Sequence, residues 1–125
     1  MIALPIRRIF LARAVVDMRK SFDSLIDLVQ HQISHNPYGG DAFVFVGRDR
    51  RRLKVLLWDR DGFWVLAKRL EGGAFALPLA ALSREARDAV EMDHAAWALL
   101  LAGITMLSAK RSLHKTRIPA PSMGG

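Results

Sequence analysis

The chain contains no cysteine. That excludes disulfide frameworks, thiol nucleophiles and cysteine-held zinc or iron–sulfur centres, and it is compatible with a reducing compartment. Long apolar runs are missing as well. The longest stretch, Ala95 to Leu107, has thirteen residues, against the about 20 that a membrane-spanning helix needs. The N-terminus reaches Arg7 and Arg8 with no apolar targeting segment or small-residue cleavage site, so no export signal is read. A cytoplasmic protein without a membrane partner is expected. Familiar catalytic signatures are absent too: no Gly-rich phosphate loop with a following Lys, no Gly-x-Ser-x-Gly elbow, no His-Glu-x-x-His helix. Neither a cofactor nor a small-molecule substrate is expected.

What is present is an ordinary globular composition with an unusual charge. The 125 residues are 51% hydrophobic and 25% charged, enough for one domain with a single core. Nineteen Lys and Arg stand against twelve Asp and Glu, for a net charge of +7. A domain this basic points to polyanions, nucleic acid first among them. The excess is uneven. Residues 1–70 hold thirteen basic and seven acidic residues, residues 71–106 hold two and five, and the tail from Leu107 holds four and none. The densest cluster is Gly47–Lys54, where Arg48, Arg50, Arg51, Arg52 and Lys54 put five cations in eight positions. Phosphate contacts are sought there first, and in the tail second.

Residues 6–16 read as a strand or two short ones. Asp17 is a good helix N-cap, and Phe22, Leu25, Ile26, Val29 and Ile33 recur at helical spacing behind it. Asn36-Pro37-Tyr38-Gly39-Gly40 ends that helix. Four apolar runs follow: Ala42–Val46, Leu53–Trp58, Phe63–Leu70 and Ala74–Leu79, separated by Gly and Asp turns. They predict an antiparallel meander whose fourth strand, holding Pro78, is an edge or a strand end. Ser83 predicts a helix through about Met92, and Asp93 a second through about Ala102, ended by Gly103. Beyond Ser108 periodicity is lost, and a flexible basic tail is expected.

A bulge at Gly62 would shift the hairpin register by one and regroup its faces; if the Asp59–Gly62 turn is symmetric, Trp58 stands opposite Phe63. Alternation then places Leu53, Val55, Leu57, Trp64, Leu66 and Leu70 on one face, a core face. The second face carries Leu56, Trp58, Phe63 and Val65 near the turn and Arg52, Lys54 and Arg69 at the open end. Cations beside aromatics suit nucleic acid. The competing arrangement has a helix covering this face, with the cations at its rim.

Other constellations have plainer explanations. His31 and His35 at i, i+4 form a possible metal pair, but no carboxylate or third His accompanies them, and a solvated helix end explains them better. His94 and His114 are isolated. Asp59 and Asp61 resemble paired metal-binding carboxylates, yet a turn followed by Gly62 accounts for both.

Two long motifs carry a family resemblance. Val16-Asp17-Met18-Arg19-Lys20-Ser21-Phe22-Asp23-Ser24-Leu25 is similar to the "VDMRKGFDGL" signature of transposon accessory proteins of the IS66 type, products of the element's second reading frame and often labelled TnpB. The block from Asn36-Pro37-Tyr38 through Arg50-Arg51-Arg52-Leu53-Lys54-Val55-Leu56 and Trp58-Asp59-Arg60-Asp61-Gly62-Phe63-Trp64 to Lys68-Arg69-Leu70-Glu71 resembles the same family, so the likeness covers about residues 2–79. Leu99-Leu100-Leu101-Ala102-Gly103-Ile104 resembles the family's "LLLEGID", with Ala102 where Glu is usual. The resemblance implies an accessory factor for transposition, working beside a larger transposase that carries the catalytic carboxylates. It carries over no active site.

The expected fold is α+β: an antiparallel meander of about four strands, an N-terminal strand and helix, and two C-terminal helices. One domain over residues 1–106 and a tail over 107–125 are expected. The expected function is non-enzymatic DNA binding through the basic β-hairpin surface, at transposon ends or without sequence preference. Arg48, Arg50, Arg51, Arg52 and Lys54 are the main phosphate contacts, and Arg19, Lys20, Lys68 and Arg69 the secondary ones. The alternative is a module that docks on the transposase without touching DNA.

Overall fold

The computed structural model describes residues 6–77, 82–83 and 86–102. Five strands form one sheet: β1 (Ile9–Ala12), β2 (Ala42–Val46), β3 (Arg52–Asp59), β4 (Gly62–Arg69) and β5 (Ala89–Met92), in the spatial order β4-β3-β2-β1-β5. The sequences of β1 and β2, Ile-Phe-Leu-Ala and Ala-Phe-Val-Phe-Val, have no polar alternation. Such strands are stable only where both faces are covered, and every residue of both is buried.

Strands β1 and β2 run parallel, with Phe10 opposite Phe43. A parallel pair needs a crossover, and helix α1 (Phe22–Asp27) supplies it, continuing as a π-helical turn over Leu28–Ile33. Leu25, Val29 and Ile33 aim into the sheet and are buried. Phe22, on the same predicted stripe, is instead 45% exposed. Ser34 ends the segment in the left-handed region, its N–H donating to the Val29 carbonyl.

The helix begins later than expected. Its N-cap position is Ser21 rather than Asp17. Asp17 closes a turn, its carbonyl accepting from the Lys20 N–H. Its carboxylate is taken by Arg19, which donates from the backbone and the guanidinium.

The predicted hairpin register is found. Strands β2, β3 and β4 form an antiparallel meander with Trp58 opposite Phe63 and Arg52 opposite Arg69. The fourth apolar run does not continue it. Residues 74–77 form no strand, and 78 and 79 lie outside the described residues. Phe75 is nevertheless buried, its N–H donating to the Arg50 carbonyl. Its apolarity serves packing beneath the sheet, not strand pairing.

The predicted Ser83–Met92 helix is also corrected. Ala89–Met92 is strand β5, antiparallel to β1 with Met92 opposite Ile9, and Ser83 donates its N–H to the Arg13 carbonyl. A cap at Ser83 predicts a helix here from local sequence alone. The second edge of β1, buried and otherwise unpaired, demands a strand, and tertiary context overrides propensity. One C-terminal helix is therefore described: α2 (His94–Ala102), with Asp93 as expected at its start, Oδ1 accepting from the Ala96 N–H at 2.7 Å. Gly103 and the tail lie outside the described residues.

Two cores result. One face packs Ile9, Leu11, Val44, Val55, Leu57 and Met92 against Phe75 and Leu100. The other packs Phe10, Phe43, Phe45 and Leu56 against the crossover helix.

Candidate nucleic-acid interface

The basic cluster lies on the loop between β2 and β3 and on the open end of the β3–β4 hairpin. Two local features shape the loop. The Arg50 N–H donates to the Gly47 carbonyl, and Asp49 Oδ1 accepts from the Arg51 N–H at 2.9 Å, a turn for which Asp is well suited. That hydrogen bond, with Arg52 beside it, holds the Asp49 carboxyl below its ordinary value. Gly47 is buried, and a Cβ there would stand 2.7 Å from Met18 Cγ, so the signature segment and the loop are packed directly on one another.

Arg52, Lys54 and Arg69, on the consecutive strands β3 and β4, turn to one hollow of about 440 Å³ lined also by Met18 and Glu71; Lys68, opposite Leu53, alternates to the other face of the sheet. Three cations and one carboxylate give the side chains facing this hollow a net charge of +2. Several of the cations are held in place. Lys54 Nζ donates to the Lys20 carbonyl at 2.8 Å, Lys68 Nζ to the Leu101 carbonyl at 3.2 Å, and Arg69 Nε to Glu71 Oε2 at 3.0 Å. Arg52 Nη2 lies 3.3 Å from Asp49 Oδ2, and Arg51 Nη2 donates to the Glu71 carbonyl. Arg48 and Arg50 are exposed and make no ion pair among the described residues; Arg50 adopts a left-handed backbone with φ 58°. Arg19 is drawn to Asp17 through contacts of 2.6–3.1 Å, which hold that carboxyl well below the usual range. Lys20 enters through its carbonyl.

The aromatics do not share this surface. Trp58 and Phe63 sit at the turn end of the hairpin, six residue pairs from Arg52 and Arg69, or about 20 Å along the strands. Between them the crossover helix covers the face, with Leu56 fully buried and Phe63 and Val65 packed against that core. The cations rim a covered face; they are not part of an open platform. Sequence reasoning missed Tyr38. Its ring lies 5.2 Å from both Trp58 and Phe63, which are 5.0 Å apart, so the Asn-Pro-Tyr turn and the hairpin tip form one cluster. The aromatic at a turn, immediately after a helix stop, was the available signal.

The model of the family described as IS66 Orf2 like protein matches residues 7–111. The chain belongs to the IS66 Orf2-like family. Two relatives from Sinorhizobium fredii (strain NBRC 101917 / NGR234) agree in length as well as sequence. "Uncharacterized protein y4jC" is 34% identical over 105 residues, covering 83% of this chain and 85% of the relative. "Uncharacterized protein y4hO" is 33% identical over 111 residues, 89% and 92% of the two. No solved structure matches. Membership in the IS66 Orf2-like family makes this a non-enzymatic accessory protein associated with an insertion sequence.

The remaining sequence candidates of this IS66 Orf2-like protein have structural roles. A carboxylate does accompany His31, contrary to expectation: Asp27, one turn back, puts Oδ1 2.8 Å from His31 Nδ1, whereas the His35 ring packs 4.7 Å from Phe10, so the two histidines do not face a common ligand. Among the described residues no group of three metal-ligating side chains occurs. Asp59 closes the hairpin turn, its carbonyl accepting from the Asp61 N–H and its Oδ2 from Trp64 Nε1. No helix of the described residues is long and apolar enough to cross a membrane.

Proposed function

We propose that this protein assists transposition of its insertion sequence by holding DNA phosphates on the Gly47–Lys54 loop and the adjoining hollow. The observation that carries the reading is the convergence of Arg52, Lys54 and Arg69 in one lining with a single carboxylate, while Lys68 stands on the opposite face of the same hairpin. The guanidinium and ammonium groups supply phosphate contacts, and Arg48, Arg50 and Arg51 extend the surface along the loop. Arg19 and Lys20 lie at its margin, beside Met18. Phosphate contacts position a protein on the duplex and read no sequence, so the binding is expected on element ends and random duplexes alike.

The experiment is DNA affinity as a function of salt, on both duplexes, for the wild type and an Arg50/Arg51/Arg52→Ala triple variant. Each lost phosphate contact lowers the slope of log affinity against log salt by about 0.9. A triple variant that keeps wild-type affinity and slope rules out the loop as the contact.

A second reading rests on the ring cluster. Tyr38 is 49% exposed while meeting Trp58 edge-on and Phe63 at a tilt, a surface suited to a protein partner such as the transposase. Co-purification with transposase that survives nuclease, and is lost in Tyr38→Ala, supports this docking.

A further inference from the structure

Among the described residues β4 is the last strand of the sheet, and its outer edge has no partner there. Exposed edges are ordinarily short, bulged or covered. This one pairs with β3 through all eight residues. It carries Trp64 and Leu66 on one face, 40% and 39% exposed.

The ladder settles which backbone groups point outward. Leu70 donates its N–H to the Arg51 carbonyl at 2.7 Å, so these two form a hydrogen-bonded pair, and antiparallel pairs alternate. Leu53/Lys68, Val55/Leu66 and Leu57/Trp64 are then bonded inward. The N–H and C=O groups of Phe63, Val65, Ala67 and Arg69 aim away from β3.

We propose that β4 pairs antiparallel with β4 of a second copy of this chain, about a two-fold axis at Leu66. A symmetric pairing must oppose outward-facing residues with one another, which requires the axis to pass through a residue position. With the axis at Leu66 all four outward residues find partners: Phe63 opposite Arg69 of the second copy, and Val65 opposite its Ala67. Moving the axis to Val65 sets Arg69 against Asp61 in the turn. Moving it to Ala67 carries Phe63 past the end of the strand. Only the Leu66 axis uses the whole edge.

The side chains fit the same register. Trp64 lies opposite Lys68 of the second copy and Phe63 opposite its Arg69, so each cation meets a ring, an attractive pairing. Leu66 meets its own copy, and no like charges are directly opposed. Lys68 and Arg69, which would repel many strands from this edge, are thus matched by this one. The pairing is isologous and closes at two. Its axis is normal to the sheet, so both basic hollows lie on the same side of the dimer.

The absence of cysteine makes the test specific. In the full chain, Leu66→Cys places two thiols on the axis at a non-hydrogen-bonded pair, whose Cα separation of about 4.5 Å permits a disulfide. Mild oxidation is expected to give a cross-linked dimer for Leu66→Cys and none for Val65→Cys or Ala67→Cys. Sedimentation is expected to show a dimer for the wild type. It is expected to show monomers for Ala67→Pro, which removes an outward N–H and no β3 bond, and for Leu66→Lys, which puts like charges on the axis. Circular dichroism checks that both variants are folded, and the cysteine series is decisive if either is not. A wild-type monomer at the highest soluble concentration overturns the proposal, as does a dimer that survives both substitutions or a cross-link at 65 or 67 in place of 66. DNA binding is not a readout, so this inference and the proposed function stand or fall separately.

Discussion

Lys54 donates from Nζ to the backbone carbonyl of Lys20, 2.8 Å away, tying the second strand of the meander to the loop that precedes the crossover helix. The contact joins the two sequence blocks that carry the family resemblance, residues 16–25 and 36–71. It also fixes one wall of the basic hollow.

Replacing Lys54 with Met is expected to destabilise the fold by about 1 kcal/mol, the net value of a typical intramolecular hydrogen bond. Arg48→Ala, on the exposed loop, is expected to change stability by less than about 0.5 kcal/mol. Urea unfolding measures both. Equal midpoints for Lys54→Met and the wild type would show that the contact contributes nothing.

Gly47 and Met18 form a second junction between the same two blocks. A Cβ at position 47 would stand 2.7 Å from Met18 Cγ, so Gly47→Ala is expected to cost about 1–3 kcal/mol through overpacking. Met18→Ala opens the space, and in the double variant part of that cost should be recovered. A coupling energy of about 0.5 kcal/mol or more in a double-mutant cycle is the expected result. Strict additivity would mean that the Gly47→Ala cost arises elsewhere.

The Asp17 carboxyl titrates below its ordinary value of 3.8 because Arg19 donates to it from the guanidinium and from the backbone. A depressed folded-state pKa gives stability that is fully present above the unfolded value and is lost as pH falls through the folded one. Neutral solution therefore holds the contribution in full, and it fades only in strong acid. Carboxyl NMR titration should find Asp17 below 3.8 in the wild type and raised in Arg19→Gln, though still lowered by the backbone N–H of residue 19, which the substitution keeps. An unmoved Asp17 in that variant would remove Arg19's side chain as the cause. Glu91 is lowered in the same manner by Arg8, whose guanidinium donates to it at 2.9 and 3.2 Å.

By itself the sequence determined the features that arise locally. A symmetric Asp59–Gly62 turn predicts the observed hairpin register, with Trp58 opposite Phe63, because a two-residue connection without a bulge at Gly62 fixes which residues pair. Asp93 dictated the start of the last helix, because its carboxylate satisfies a free N–H one turn on. The charge count located the Gly47–Lys54 cations. Tertiary structure alone decided the rest. Strand β1 joins the sheet parallel to β2, and Ala89–Met92 becomes a strand beside it; pairing a buried edge outweighs local helix propensity, and no local pattern records that demand. Likewise Met18 closes the hollow that Arg52, Lys54 and Arg69 line on the hairpin, while Tyr38 completes the aromatic cluster at its opposite end. Those groupings exist only because chain segments distant in sequence are brought together by burial of the two cores.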